Sequence, residues 1–205
     1  MFSAVLNSTS LITARILSPS SPSNLTTWLR HMSTSIRTGI ETYGIIIDAQ
    51  HGKIYAYEVD GYGGANIMDD ANVPSLLSAP FLNYVPRDDP VYAATRKKVL
   101  SRANPYYAWG PLITGVGSPH TLPGKAWPMS LVMNILTSDD DDEIVANLRM
   151  LVRSTDGYGL MHESVSAHAQ GVWSRQWFSW ANGLFGQAVR DLEIRKPWIL
   201  KQSFQ

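Results

Sequence analysis

Apolar residues recur along this chain at helical spacing in several separate stretches, and only one stretch alternates as a strand would. From Asn24 onward, Leu25, Trp28, Leu29, Met32, Ile36 and Ile40 step by three or four residues. That spacing predicts one helix, capped by Ser23 or Asn24 and stopped at Gly44. Residues 45–47 and 54–57 flank a polar turn and predict a small β-hairpin. Asp69 or Asp70 is suited to cap a short helix reaching Leu77, with Pro74 in its first turn. Asp88 or Asp89 caps the next, through Tyr92, Thr95, Val99 and Leu100. Residues 128–137 and 140–154 predict two more helices, and residues 176–192 a last one. The opening residues lack acids and are rich in Ser and Thr. They fit a transit peptide, or a short helix through Phe2, Val5 and Leu6 followed by a Ser/Pro loop.

The organisation is therefore helix, polar connection, helix, which predicts an all-α fold with one small hairpin over a single domain, residues 1–205. Polar residues gather in four connections: Glu58 with Asp60; Asp69 with Asp70 and Asn72; His120; and His162 with Glu163. Loops at one end of a helical scaffold converge on a shared pocket. Taken singly, each carboxylate is also an ordinary helix cap or surface group.

Charge and composition narrow the chemistry. Lys plus Arg and Asp plus Glu both number 17, so no basic field is present to hold phosphates, and nucleic acid is not expected as a partner. Cysteine is absent, which removes disulfides, thiolate metal sites and a cysteine nucleophile. Apolar runs fall far short of the ~20 residues of a membrane span, so a soluble protein with no membrane partner is expected. The acidic run 139–142 lacks the alternate spacing and glycine of a calcium loop and suits a helix N-terminus; no metal or other cofactor is expected. No Gly-x-Ser-x-Gly elbow accompanies a triad, and His162-Glu163 lacks the second histidine of a zinc helix. Seven Trp and nine Tyr, several beside polar residues in connections, fit sugar rings stacked on aromatic faces, although such residues also serve as core. Carboxylates among aromatics suggest glycoside hydrolysis, in which one carboxyl protonates the leaving oxygen and another acts on water or the sugar.

Seven blocks carry a more specific signal. They are residues 52–63 (GKIYAYEVDGYG), 68–77 (MDDANVPSLL), 104–107 (NPYY), 117–121 (GSPHT), 127–130 (WPMS), 159–164 (GLMHES), and Arg175 followed by 177–185 (WFSWANGLF). In this order they resemble glycoside hydrolase family 125, the inverting, metal-independent exo-α-1,6-mannosidases. The resemblance implies an (α/α)6 barrel, of which this chain would supply about half, an incomplete toroid. It implies Glu163 as the general base that deprotonates the attacking water. His162, His120, Asp69, Asp70, Asn72, Glu58 and Asp60 would line the mannose pocket with Arg175, and Trp127 and Trp177 would be its aromatic walls.

The resemblance also implies an aspartate general acid upstream of every block, so that the proton donor and the first helices of the ring would lie outside this chain. Asp69 or Asp70 is the alternative donor within it. Where the family tends to place Thr-Arg, this chain has Ser174-Arg175, which keeps the hydroxyl. The expected partners are a mannose-containing oligosaccharide and the missing N-terminal half of the same barrel, with little activity expected of the chain alone. The alternatives are a mannoside-binding module without turnover and a helical protein-interaction module. Asn7-Ser8-Thr9 and Asn24-Leu25-Thr26 fit the glycosylation sequon, but no clear signal peptide precedes them, so the compartment stays open.

Overall fold

A computed structural model describes residues 1–17 and 24–204. Among these described residues the fold is mostly helical, with four small antiparallel sheets. Helix α1 (Phe2–Leu17) and α2 (Asn24–Tyr43) lead into the hairpin β1 (Ile45–Asp48) and β2 (Gly52–Tyr55), then β3 (Glu58–Val59) and β4 (Ala65–Asn66). Helix α3 (Pro90–Val99) precedes β5 (Tyr107–Ala108), β6 (Gly115–Val116) and β7 (Lys125–Ala126). Helices α4 (Pro128–Thr137) and α5 (Asp141–Arg153) come next, then β8 (Ser164–Ser166), β9 (Trp173–Ser174), α6 (Ser179–Arg195) and a 3₁₀ turn, Ile199–Lys201.

The core sits on α4, in which every residue from Pro128 to Thr137 is buried. Helix α5 offers it Ile144, Val145, Leu148 and Leu151, and α6 offers Ala181, Leu184, Ala188 and Leu192, each set spaced as one helical face. Burying a helix on all sides leaves its last carbonyls without water, and cations from elsewhere meet that need. Arg195 donates to Ile135 O at 3.1 Å and Ser138 O at 2.7 Å, while Arg87 donates to Leu136 O at 3.0 Å. Asp139 neutralises both guanidiniums, at 2.8 Å from Arg87 and 3.0 Å from Arg195. Asp140 caps α5 through Glu143 N–H at 3.0 Å, and Asp141 pairs with Lys196. Asp139, Asp140 and Asp141 are thus engaged in capping and ion pairing.

Helices α1 and α2 pack on each other through small residues. Ser3 Oγ donates to Ser33 O at 2.9 Å and Ser33 Oγ returns a bond to Ser3 O at 2.7 Å. The α1 side chains Phe2, Val5, Leu11, Ile12 and Ile16 stay exposed, as do Leu25 and Trp28 of α2. Among the described residues no helix is long and apolar enough to cross a membrane. No closed ring of helices is formed by the described residues either.

Two expectations are corrected. The stretch after Asp69 is not a helix but a series of turns reaching Val85. Val73 precedes a proline and is steered away from the helical region, and side chains compete for the backbone donors. Asp69 accepts from Leu76 N–H and Leu77 N–H at 2.8 and 3.0 Å, folding the chain back over seven and eight residues. The single hairpin is also an undercount, because pairs form at 58–66 and 107–116 and a three-stranded sheet joins β7, β8 and β9. These strands hold two or three residues each, too few to show alternation. Ser23, one of two proposed caps for α2, lies outside the described residues.

Candidate active site

Glu163 is held by the order β7-β8-β9. Strand β7 runs directly into the buried helix α4, and β8 pairs with it through Ala126 and Val165. Across β8 and β9, Ser164 faces Ser174, which sets Glu163 beside Arg175 at the end of the ladder. Glu163 N–H donates to Ser174 O at 3.1 Å. Its carboxylate Oε2 accepts from Ser174 Oγ at 2.9 Å, and Oε1 pairs with Arg175 Nε at 3.0 Å. The Glu163 side chain is 16% exposed and that of Arg175 66%, so one neighbour reaches inward and the other stands in solvent.

Behind this carboxylate the site is aromatic and tight. His162 is fully buried and stacks on Trp173, with centroids 4.4 Å apart and planes within 4°. Tyr158 meets both rings edge-on. His162 Nδ1 lies 3.3 Å from Arg175 O, while Nε2 has no hydrogen-bond partner among the described residues. Arg175 has φ +52°, a conformation that costs a side-chain-bearing residue energy, and the His162 contact is at its carbonyl. Asn182 clamps the segment before β8 to α6: its carbonyl accepts from Met161 N–H at 3.1 Å, and its amide donates to Met161 O and Phe178 O. Trp177 and Arg175 are exposed; Trp127 is buried, edge-on to Phe178 at 6.0 Å, with its indole N–H on Thr121 Oγ1 at 3.1 Å.

Asp70, Asn72 and His120 come together around Ser118. Asp70 Oδ1 accepts from Asn72 N–H and from its side-chain amide, both at 3.0 Å, and that amide reaches Ser118 Oγ at 3.4 Å. His120 N–H donates to Ser118 Oγ at 3.2 Å, leaving its ring exposed. The close approach that makes this possible needs Gly117, where a Cβ would stand 2.3 Å from Lys125 O. Asp69 is different. Its side chain is fully buried, with both oxygens bound to backbone N–H groups, and burial pushes its carboxyl up to about 7 against those bonds. It meets no solvent and braces the turns. Glu58 and Asp60 are exposed on the rim of a cavity of about 620 Å³, lined also by Ile36, Ile40, Tyr55, Leu76 and Tyr84.

Of the residues expected in one pocket, Glu163 touches Arg175, and Asp70 touches Asn72, which meets His120 at Ser118; Trp127 spans from Thr121 to Phe178, and Tyr57 lies in the field of Glu58, Asp69 and Asp70. Trp173, Tyr158 and Asn182 had not been singled out. For Asn182 a signal existed, since a helical Asn four residues after Phe178 is placed to bond its carbonyl. Among the described residues no three His, Asp or Glu side chains are placed to hold a metal ion.

Residues 1–190 match the family described as metal-independent alpha-mannosidase (GH125). The chain belongs to glycoside hydrolase family 125. It is 54% identical over 172 residues to the meiotically up-regulated gene 157 protein of Schizosaccharomyces pombe, a match covering 83% of this chain and 34% of the yeast protein. Among solved structures it is similar to a metal-independent alpha mannosidase of Streptococcus pneumoniae in a non-productive complex with alpha-1,6-mannobiose. That match has a TM-score of 0.88 at 41% identity, over 94% of this chain and 46% of the bacterial one. The chain thus spans between a third and a half of the relatives it matches.

Proposed function

We propose that this chain carries the base-bearing half of an inverting exo-α-1,6-mannosidase, with Glu163 as the general base. The observation that supports this most is the Glu163 carboxylate itself: partly exposed and held at both oxygens, by Ser174 and by the exposed Arg175. The family and the mannobiose bound to the bacterial relative supply the substrate class. In this reading a water attacks the anomeric carbon from the face opposite the leaving sugar. Its oxygen forms the new C–O bond, its proton passes to Glu163 Oε1, and the glycosidic bond breaks as an acid protonates the leaving oxygen. Arg175, exposed to solvent, must leave Oε1 for that proton to arrive.

Asp69 does not suit the acid role, because a donor must reach the sugar and its oxygens are spent inside the protein. The proton donor is assigned instead to an N-terminal half of an (α/α)6 toroid. The exposed apolar faces of α1 and α2 support such a neighbour. Asp70, Asn72 and His120, with Trp127 behind them and Glu58 and Asp60 on the rim, are assigned to mannose binding in the assembled ring. A second reading, mannoside binding without turnover, draws on the Arg175 contact that occupies Oε1.

Mannose release from α-1,6-mannobiose tests the proposal. It is measured on the chain alone and on the chain fused behind the part of the yeast relative that it does not span. Release is expected from the fusion, with Glu163→Gln abolishing it while mannobiose still binds in calorimetry. Undiminished release by the Gln variant would refute the base; binding with no release from either form would favour the second reading.

A further inference from the structure

The hydroxyls beneath Glu163 have a direction. Ser174 Oγ is within 2.9 Å of Glu163 Oε2 and within 2.7 Å of Ser164 Oγ. An ionised carboxylate only accepts, so the one proton of Ser174 is committed to Glu163. Ser174 Oγ can then only accept from Ser164, whose side chain is fully buried. The order is therefore Ser164 O–H to Ser174 Oγ, and Ser174 O–H to Glu163 Oε2. Were Glu163 to carry a proton on Oε2, both hydroxyls would have to turn, and the Ser164 proton would point back into a buried environment.

We propose that Ser174, backed by Ser164, is a positioning residue that fixes the Glu163 carboxylate as an anion and reserves Oε1 for the proton of water. The two tethers of the carboxylate differ in kind. The serine pair is built into the β8–β9 ladder, where Ser164 and Ser174 are register partners. Arg175 is two-thirds exposed and its side chain is exchangeable with solvent or ligand. Displacing the arginine leaves Oε2 still bound and frees only the other oxygen. A carboxylate held at one oxygen by a charge-assisted bond keeps its aim while the second oxygen does chemistry.

The kinetic part of this inference rests on Glu163 being the base, so the test has an arm that does not. In the form of the enzyme that releases mannose, Ser174→Ala is expected to lower kcat about ten- to one-hundredfold with KM within about twofold, the size expected for one bond to a charged group. The acidic limb of its pH profile moves to higher pH, because the anion has lost a donor. Ser174→Thr restores both, and Ser164→Ala falls between. In the chain itself, labelled with ¹³C-glutamate, the infrared carboxylate band that vanishes in Glu163→Gln shifts in Ser174→Ala and returns in Ser174→Thr. A band unmoved by Ser174→Ala overturns the relay whether or not mannosides are hydrolysed. A moved band with no hydrolysis keeps the relay and removes the base. Unaltered kcat and pH limb in an active Ser174→Ala enzyme overturn the positioning role.

Discussion

Replacing Asp69 with Asn should abolish one part of the dependence of stability on pH. The Asp69 carboxyl is buried and titrates at about 7 when folded, because desolvation outweighs the N–H groups of Leu76 and Leu77. In the unfolded chain it titrates near the ordinary carboxyl value of about 4. Between these, the folded protein holds a proton that the unfolded chain has released, so Asp69 makes stability fall as pH rises. The full shift is roughly three units, or about 4 kcal/mol, of which about 3 kcal/mol is lost between pH 4 and pH 7. An Asn has one acceptor oxygen where Asp has two, so it leaves Leu76 or Leu77 N–H facing an amide at a cost of about 1–3 kcal/mol at every pH. That offset is flat. Asp48, Asp60 and Asp141 have carboxyls held below the usual range, chiefly by Lys98, by the Tyr62 backbone N–H and by Lys196 respectively. Their contributions have the opposite sign, lost as pH falls, and are common to both proteins. The difference in unfolding free energy between the parent and Asp69→Asn, from urea titrations at pH 4, 5, 6 and 7, should therefore slide by about 3 kcal/mol against the parent as pH rises. Parallel curves for the two proteins across this range would show that Asp69 does not hold a proton in the folded state.

Two further outcomes follow from close contacts around the site. Gly117→Ala places a methyl 2.3 Å from Lys125 O and 3.1 Å from Tyr106 O, both backbone atoms with little room to give. It should cost about 1–3 kcal/mol, visible as a thermal midpoint several degrees lower, while an unchanged midpoint would contradict the packing. Asn182→Ala removes bonds to Met161 N–H, Met161 O and Phe178 O, and should lower stability by about 2 kcal/mol in urea unfolding. Faster hydrogen exchange at Met161 N–H, with α4 amides unaffected, would locate that loss at the segment before Glu163.

The parts of the fold written in long periodic stretches were legible. Helices α2, α4, α5 and α6 start and stop within a few residues of the expected bounds, and Asp89 and Asp140 are the caps that their sequences offered. The segment after Asp69 misled because its signals are those of a helix start: an acid, a proline and then Leu76 and Leu77. What decides the outcome is that Asp69 reaches seven and eight residues ahead, and spacing alone does not reveal that. The short strands were invisible for a related reason. Val165 and Trp173 pair only because the intervening turn returns the chain, so the contact between Ser164 and Ser174 belongs to the ladder and to no motif. The family resemblance pointed to Glu163 and Arg175 and noted the Ser174 hydroxyl, but not that this hydroxyl bonds Glu163 Oε2 with Ser164 behind it.

How firmly Glu163 is held follows from where its sheet is anchored. β7 ends where the wholly buried helix α4 begins, and β9 is followed within five residues by α6, which packs on α4. The sheet carrying the carboxylate is therefore suspended between the starts of the two helices that share the core, with Asn182 and the Trp127–Phe178 contact closing the gap. Helices α1 and α2 are mated mainly to each other and show apolar faces outward. Local opening takes place where few apolar side chains are buried, so α1 and α2 should exchange and rearrange more readily than the sheet. If an N-terminal half completes the fold as proposed, the exposed apolar faces of α1 and α2 are the pliable surface offered to it, while the sheet carrying Glu163 stays anchored on the core helices.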